Sequence, residues 1–227
     1  METIAERLKS AYQTIEQSTL AANRPPNTVQ LLAVSKTKPV SDIVQAYEAG
    51  QRLFGENYVQ EGVEKVQALR ALSDIEWHFI GPIQSNKTRL VAENFAWVHA
   101  IDRLKIAQRL NDQRSAHKQL NVCIQVNIDD EASKSGVPIE EVKALAAAIN
   151  PLPHLKLRGL MTIPKADASE VQQKHSFSAM QELFVEMHRL YPEIDTLSMG
   201  MSGDIKPAIA HGSTMVRIGT AIFGSRQ

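Results

Sequence analysis

Leu31-Leu32-Ala33-Val34-Ser35-Lys36-Thr37-Lys38-Pro39 starts as an unbroken apolar run and then places a lysine just where the run ends. A short apolar run bounded by turn residues is the pattern of a strand buried on both faces, as in a parallel sheet. A lysine at the end of such a strand is partly withdrawn from water, which disfavours the ammonium form and lowers its pKa. A neutral amine on a rigid strand suits imine formation with an aldehyde. The alternative is a lysine that runs from the strand end into solvent, and one lysine alone does not decide between the two.

The chain on either side supplies the context. Upstream, Ile4, Leu8, Ala11, Ile15 and Leu20 recur at helical spacing, and Asn23-Arg24-Pro25-Pro26-Asn27 breaks the pattern. Downstream, strands are expected at 52–55, 76–80, 96–99, 122–128, 155–161, 196–198 and 214–218. Helical stretches separate them: 41–47, 58–71, 85–93, 102–117, 138–150, 168–191 and 204–210, with Ser41, Asp42, Asp102 and Asp204 as caps and Gly50 and Gly212 as stops. Alternating strands and helices imply parallel pairing through right-handed crossovers. Eight such units predict a single (β/α)8 TIM barrel spanning 1–227, with the extra N-terminal helix packed outside. An open doubly wound sheet is the alternative at the level of fold.

Composition narrows the function. Lys+Arg and Asp+Glu both number 25, so nothing predicts a strongly basic nucleic-acid footprint. No window is apolar for long enough to span a bilayer. The single Cys123, within Val122-Cys123-Ile124, reads as a buried thiol in a reducing compartment. The acidic start Met1-Glu2-Thr3-Ile4-Ala5-Glu6 lacks a signal core, so a cytoplasmic protein is expected. No Cys, His or carboxylate spacing suggests a metal site.

In a barrel the active face lies at the C-terminal ends of the strands. There the sequence places Lys36, Glu56 and Asn57, His78, Asn127, Met161 and Thr162, Ser198 and Arg217. The last two loops, Ser198-Met199-Gly200-Met201-Ser202-Gly203-Asp204 and Arg217-Ile218-Gly219-Thr220, are small and glycine-containing, and each leads into a helix or turn. Barrels frequently hold a phosphate in these two loops on backbone amides. Two ordinary capped turns would read the same way. Arg217, which stays protonated, could face a pyridine nitrogen and keep it unprotonated, or could pair with a carboxylate such as Glu56 or Asp204.

These motifs resemble, in order and over nearly the whole chain, those of the pyridoxal phosphate homeostasis (YggS/PROSC) family of alanine-racemase-like barrels. The residues that carry the resemblance are Ala33-Val34-Ser35-Lys36-Thr37-Lys38, Phe54-Gly55-Glu56-Asn57-Tyr58-Val59-Gln60-Glu61 and His78-Phe79-Ile80-Gly81-Pro82-Ile83-Gln84-Ser85-Asn86-Lys87. Further on they are Lys134-Ser135-Gly136, Gly159-Leu160-Met161, Ser198 to Asp204 and Gly212 to Gly224. The resemblance implies that Lys36 carries pyridoxal 5'-phosphate as an imine. It also implies that Ser198, Ser202, Gly219 and Thr220 hold the phosphate, that Arg217 faces the pyridine nitrogen, and that Asn57, His78 and Met161 line the ring. Lys206-Pro207 departs from the acidic or alanine pair usual in the family, and a proline in a first helical turn is tolerated.

Racemase-like relatives need a second acid/base group, a tyrosine supplied by an additional β domain and a partner subunit. The chain ends at Gln227, soon after the eighth strand, so that domain is expected to be missing and a monomer is expected. Tyr58 is the one tyrosine of four near the mouth. The expected function is therefore to store, buffer or deliver the cofactor to apoenzymes that depend on it, without catalytic turnover. Two alternatives remain: a small racemase- or transaminase-like enzyme using Lys36 with Tyr58 or His78, and a phosphate-binding barrel without aldehyde chemistry. Lys38 and Lys134 are candidates for a second holding site.

Overall fold

The computed structural model describes residues 2–130, 135–165 and 167–225. It opens with α1 (Ile4–Ala21), which buries Ile4, Leu8, Ala11 and Ile15 of the face read from the sequence, while Leu20, the fifth position read on that face, is exposed. The Thr3 hydroxyl accepts from the Glu6 amide at 3.2 Å, and the Glu6 carboxylate accepts from the Thr3 amide at 2.8 Å. That reciprocal pair satisfies two amides that a helix start would leave unpaired.

Eight strands follow: β1 (Gln30–Val34), β2 (Leu53–Glu56), β3 (Glu76–Phe79), β4 (Trp97–Ile101), β5 (Leu120–Val126), β6 (Leu155–Thr162), β7 (Thr196–Ser198) and β8 (Met215–Ile218). They pair in chain order and β8 returns to β1, closing a parallel barrel. The doubly wound alternative is thereby excluded. The helices between them are α2 (Val40–Glu48), α3 (Val59–Ala68), α4 (Thr88–Asn94), α5 (Leu104–Gln113), α6 (Ile139–Ile149), α7 (Glu170–Leu190), α8 (Ile205–Ala210) and α9 (Thr220–Phe223). Pro207 sits in the first turn of α8 and leaves that helix intact, as expected.

Several boundaries differ from the sequence reading. β1 stops at Val34, so Lys36 lies two residues beyond the strand, in a turn where Thr37 takes φ +60°. Helix α2 begins behind Pro39, and Ser41 and Asp42 fall inside its first turn without a capping bond. Helix α5 begins at Leu104, and the Asp102 carboxylate engages Arg103. Asp204 does occupy the cap position of α8, but its carboxylate turns back to accept from the Met201 amide.

Side chains alternate across each strand, one toward the helices and the next into the barrel. Leu31, Ala33, Phe54, Phe79, Val98, Val122, Leu160, Leu197 and Val216 join the helices in one large apolar core. Leu32, Ile80 and Met215 form a separate cluster, as do Trp97, Ala100, Cys123 and Met161. Buried alongside these two clusters are the polar groups His78, His99, Ser198 and Arg217. The barrel is a filled core with a polar seam.

Candidate functional site

The turn that carries Lys36 is clamped on both sides. The Ser35 hydroxyl donates to Glu56 Oε1 at 2.6 Å, and Lys65 Nζ donates to the Ser35 carbonyl at 2.7 Å. The same ammonium reaches Glu56 Oε1 at 2.9 Å and Glu61 Oε1 at 2.6 Å. Glu61 Oε1 in turn accepts from the Thr37 amide at 2.6 Å. Glu56 is fully buried and Lys65 is 5% exposed. Burial raises the Glu56 carboxyl above its ordinary range, and the bonds from Ser35 and Lys65 oppose that shift. The backbone on each side of Lys36 is thus fixed by charged side chains of β2 and α3.

Asn57 follows β2. Its Oδ1 is buried and has no hydrogen-bond partner among the described residues, the state of an acceptor waiting for a ligand. Its main chain is approached closely by Gly81, where an added Cβ would lie 2.1 Å from the Asn57 carbonyl oxygen. On the far side, Gly200 takes φ +101°, which lets the chain turn sharply after β7 toward Ser202 and Gly203.

Arg217 rises from β8 into the seam. Its Nη1 donates to the Ser198 carbonyl and hydroxyl, both at 2.8 Å, and its Nη2 donates to the Thr162 carbonyl at 2.8 Å. Burial pushes its pKa down to about 10, with Asp204 opposing, so it remains a cation at neutral pH. The pairing with Glu56 considered above does not form; Glu56 is taken by Lys65.

Six of the expected residues, Lys36, Asn57, Ser202, Arg217, Gly219 and Thr220, border one cavity of about 350 Å3 at the C-terminal end of the barrel. Val34, Ile80 and Ile163 give it an apolar wall. That size and mixture suit a small ligand. A larger cleft of about 470 Å3 lies outside the barrel against α1 and α8, but among the described residues Lys206 is the only ionisable group on it.

The other three expected residues do not border the cavity. His78, Met161 and Ser198 are fully buried beside it. Met161 packs against Trp97 and Cys123. His78 is bound at both ring nitrogens, to Glu76 and to His99. The Ser198 hydroxyl is shared by His99 and Arg217. Tyr58 is 51% exposed and outside the cavity wall. Lys38 donates to the Ser225 carbonyl at 2.9 Å, and Lys134 lies outside the described residues.

Ser35, Glu61, Lys65 and His99 were not singled out from the sequence. The Glu61/Lys65 spacing of four residues on a helix was visible, but it also describes an ordinary solvated pair. Among the described residues no cluster of His, Cys, Asp or Glu could hold a metal ion, and no helix is long and apolar enough to cross a membrane.

Burial holds both imidazoles, His78 and His99, below the ordinary histidine range. Unfolding releases each to about 6.5, where it takes up a proton that the folded state refuses. The unfolded chain therefore binds more protons below that pH. Stability is full above pH 6.5 and falls as pH drops through it. Thermal melts at pH 7.5 and 5.5 should show the decline, and a His99→Phe protein should show less of it; equal declines would contradict the assignment.

The chain matches the family model of the alanine racemase N-terminal domain over residues 8–227. It is 57% identical to the pyridoxal phosphate homeostasis protein of Haemophilus influenzae, covering 98% of this chain and 96% of that one. It is 56% identical to the protein of the same name from Escherichia coli K12, covering 100% and 98%. Among solved structures, PipY of Synechococcus elongatus PCC7942 with PLP bound superposes with a TM-score of 0.82 at 36% identity, covering 98% of this chain and 100% of that one.

Proposed function

The chain belongs to the alanine racemase N-terminal domain family, and within it to the pyridoxal phosphate homeostasis proteins, and from that membership we propose that it binds pyridoxal 5'-phosphate and serves to store, buffer or deliver it. The observation that carries this reading is the meeting of Lys36, Asn57, Arg217 and the last two loops on one cavity. When bound, the cofactor supplies an electrophilic aldehyde and an electron-withdrawing pyridine ring.

The residues present suit that group. Lys36, on the cavity wall, would hold the group by its aldehyde through the side-chain amine, and release would free the cargo. Ser202, Gly203, Gly219 and Thr220 supply hydroxyls and glycine backbone where a phosphate would sit. The orphaned Asn57 Oδ1 offers an acceptor to the ring hydroxyl. Arg217, a donor that stays charged, would keep the ring nitrogen unprotonated and the ring a poorer electron sink.

Carriage without turnover is supported by the cavity wall. Lys36 and Arg217 are the ionisable side chains on it among the described residues. Neither candidate for a second base reaches it: His78 is sealed and Tyr58 faces solvent. Loaded protein should restore activity to an apoenzyme that requires the cofactor. It should also leave L-alanine unracemised, and its amino group untransferred to an α-keto acid, beyond the rate of free cofactor. Turnover well above that rate would establish the enzyme reading instead.

A further inference from the structure

Inside the barrel, groups from β3, β4, β7 and β8 form one continuous chain. Glu76 Oε1 lies 3.1 Å from His78 Nε2, and His78 Nδ1 lies 2.9 Å from His99 Nε2. His99 Nδ1 lies 2.9 Å from Ser198 Oγ, which accepts from Arg217 Nη1 at 2.8 Å. His78 is stacked on Trp97, with centroids 5.1 Å apart and planes 8° from parallel, which fixes its ring plane.

The two ends determine the direction of every bond. A carboxylate only accepts and a guanidinium only donates. His78 Nε2 must then carry a proton for Glu76. With His78 neutral, its Nδ1 accepts from His99 Nε2–H. His99 Nδ1 is left to accept from the Ser198 hydroxyl, whose oxygen accepts from Arg217. Every donor points from Arg217 toward Glu76, and no group is left unpaired. The reverse arrangement requires one extra proton on a buried imidazole. The charges around the pair are mixed: Glu76 favours a cation at His78, Arg158 opposes it there, and Arg217 opposes it at His99.

We propose that this chain is the positioning device for Arg217: His78 and His99 hold the Ser198 hydroxyl with its lone pair on the guanidinium, and so fix the cation that borders the cavity. Glu76, His78, His99 and Ser198 are positioning residues, since none of them borders the cavity. The link to the cofactor rests on the function proposed above; the direction of the chain does not.

The test has one readout for each part. In cofactor-free protein at pH 7.5, nitrogen NMR of the imidazoles should show both rings neutral, protonated at Nε2 and bare at Nδ1. Either ring as an imidazolium, or protonated at Nδ1, would overturn the chain. In loaded protein, His99→Phe keeps a ring but removes both nitrogens. It should shift the absorption band of the bound cofactor and speed its release roughly fivefold to tenfold, the worth of about one neutral hydrogen bond. His99→Gln keeps a donor and an acceptor and should restore most of the difference. A folded His99→Phe protein with unchanged band and release rate would overturn the proposal. Should that variant not fold, Glu76→Ala removes the far acceptor at a partly exposed position; it should change the His78 tautomer and move release the same way, and no change in either would overturn it. If wild type binds no cofactor while the NMR result stands, the function fails and the chain survives.

Discussion

Replacing Lys65 with Met should cost roughly 3–5 kcal/mol of folding stability, the penalty for removing one partner of a buried ion pair. The substitution keeps the length and apolar stem of the side chain but strips the cation from a carboxylate that is fully buried. Glu56 must then either stay charged without its partner or become neutral. Neutralising it at pH 7 costs roughly 3.4 kcal/mol, at 1.36 kcal/mol per pH unit above its ordinary value of 4.5. The two routes therefore predict a similar loss. The protonation route adds a signature. In the variant, folded Glu56 holds a proton that the unfolded chain releases, so the folded state binds more protons. Its stability rises as pH falls, and the deficit against wild type should shrink between pH 7 and 5. Adding Glu56→Gln should recover most of the loss, because an amide needs no counter-ion and still accepts from Ser35. Urea melts of the single and double variants would check this; a Lys65→Met protein within 1 kcal/mol of wild type would refute the clamp. Since Lys65 also holds the Ser35 carbonyl and Glu61, which binds the Thr37 amide, the same variant should loosen the turn that carries Lys36.

Gly159→Ala should be at least as damaging. An added Cβ there would lie 1.7 Å from the Thr196 carbonyl oxygen and 2.6 Å from its carbon. Both are backbone atoms, so no rotamer change relieves the clash; β6 and β7 would have to part where Gly159 pairs with Thr196. β7 is only three residues long and carries Ser198. A loss of about 4 kcal/mol or more is expected, which for a chain of this size lowers Tm by roughly 8–16 °C. Gly203→Ala is the contrast: its added Cβ meets nothing within 4 Å among the described residues, and its stability should stay within about 0.5 kcal/mol of wild type. Equal melts for the two variants would show that the β6–β7 contact is not the constraint described.

The barrel was legible because the signal is repeated. A single apolar run such as Leu31 to Val34 is ambiguous, whereas eight runs alternating with helical periods leave few topologies. The position of Lys36 was legible for the same reason: a polar residue just after a buried strand falls at the mouth. Caps were less legible, since Ser41 and Asp42 obey local preference while Pro39 sets the start of α2. The interior polar seam was the least legible. His78 is one residue from the strand positions that face the helices, and the strand period alone puts it inside the barrel but not at what depth. Its partner His99 lies 21 residues away, and Ser198 lies 99 from His99. Such pairings come from barrel closure and stagger, not from any local pattern. Lys65 was missed because a Glu/Lys pair four apart on a helix is ordinarily solvated, and only the packing of α3 on β2, where Gly62 leaves room for Glu56, buries it.

The central claim, that Lys36 is where pyridoxal 5'-phosphate is held, is tested most directly by reducing the loaded protein with borohydride, digesting it and locating the modified residue by mass spectrometry. The cofactor mass should sit on the peptide containing Lys36, and the Lys36→Ala protein should lose both that mass and the imine absorption band. A stable adduct on Lys38 or Lys134 in place of Lys36, or on no lysine at all, would contradict the account.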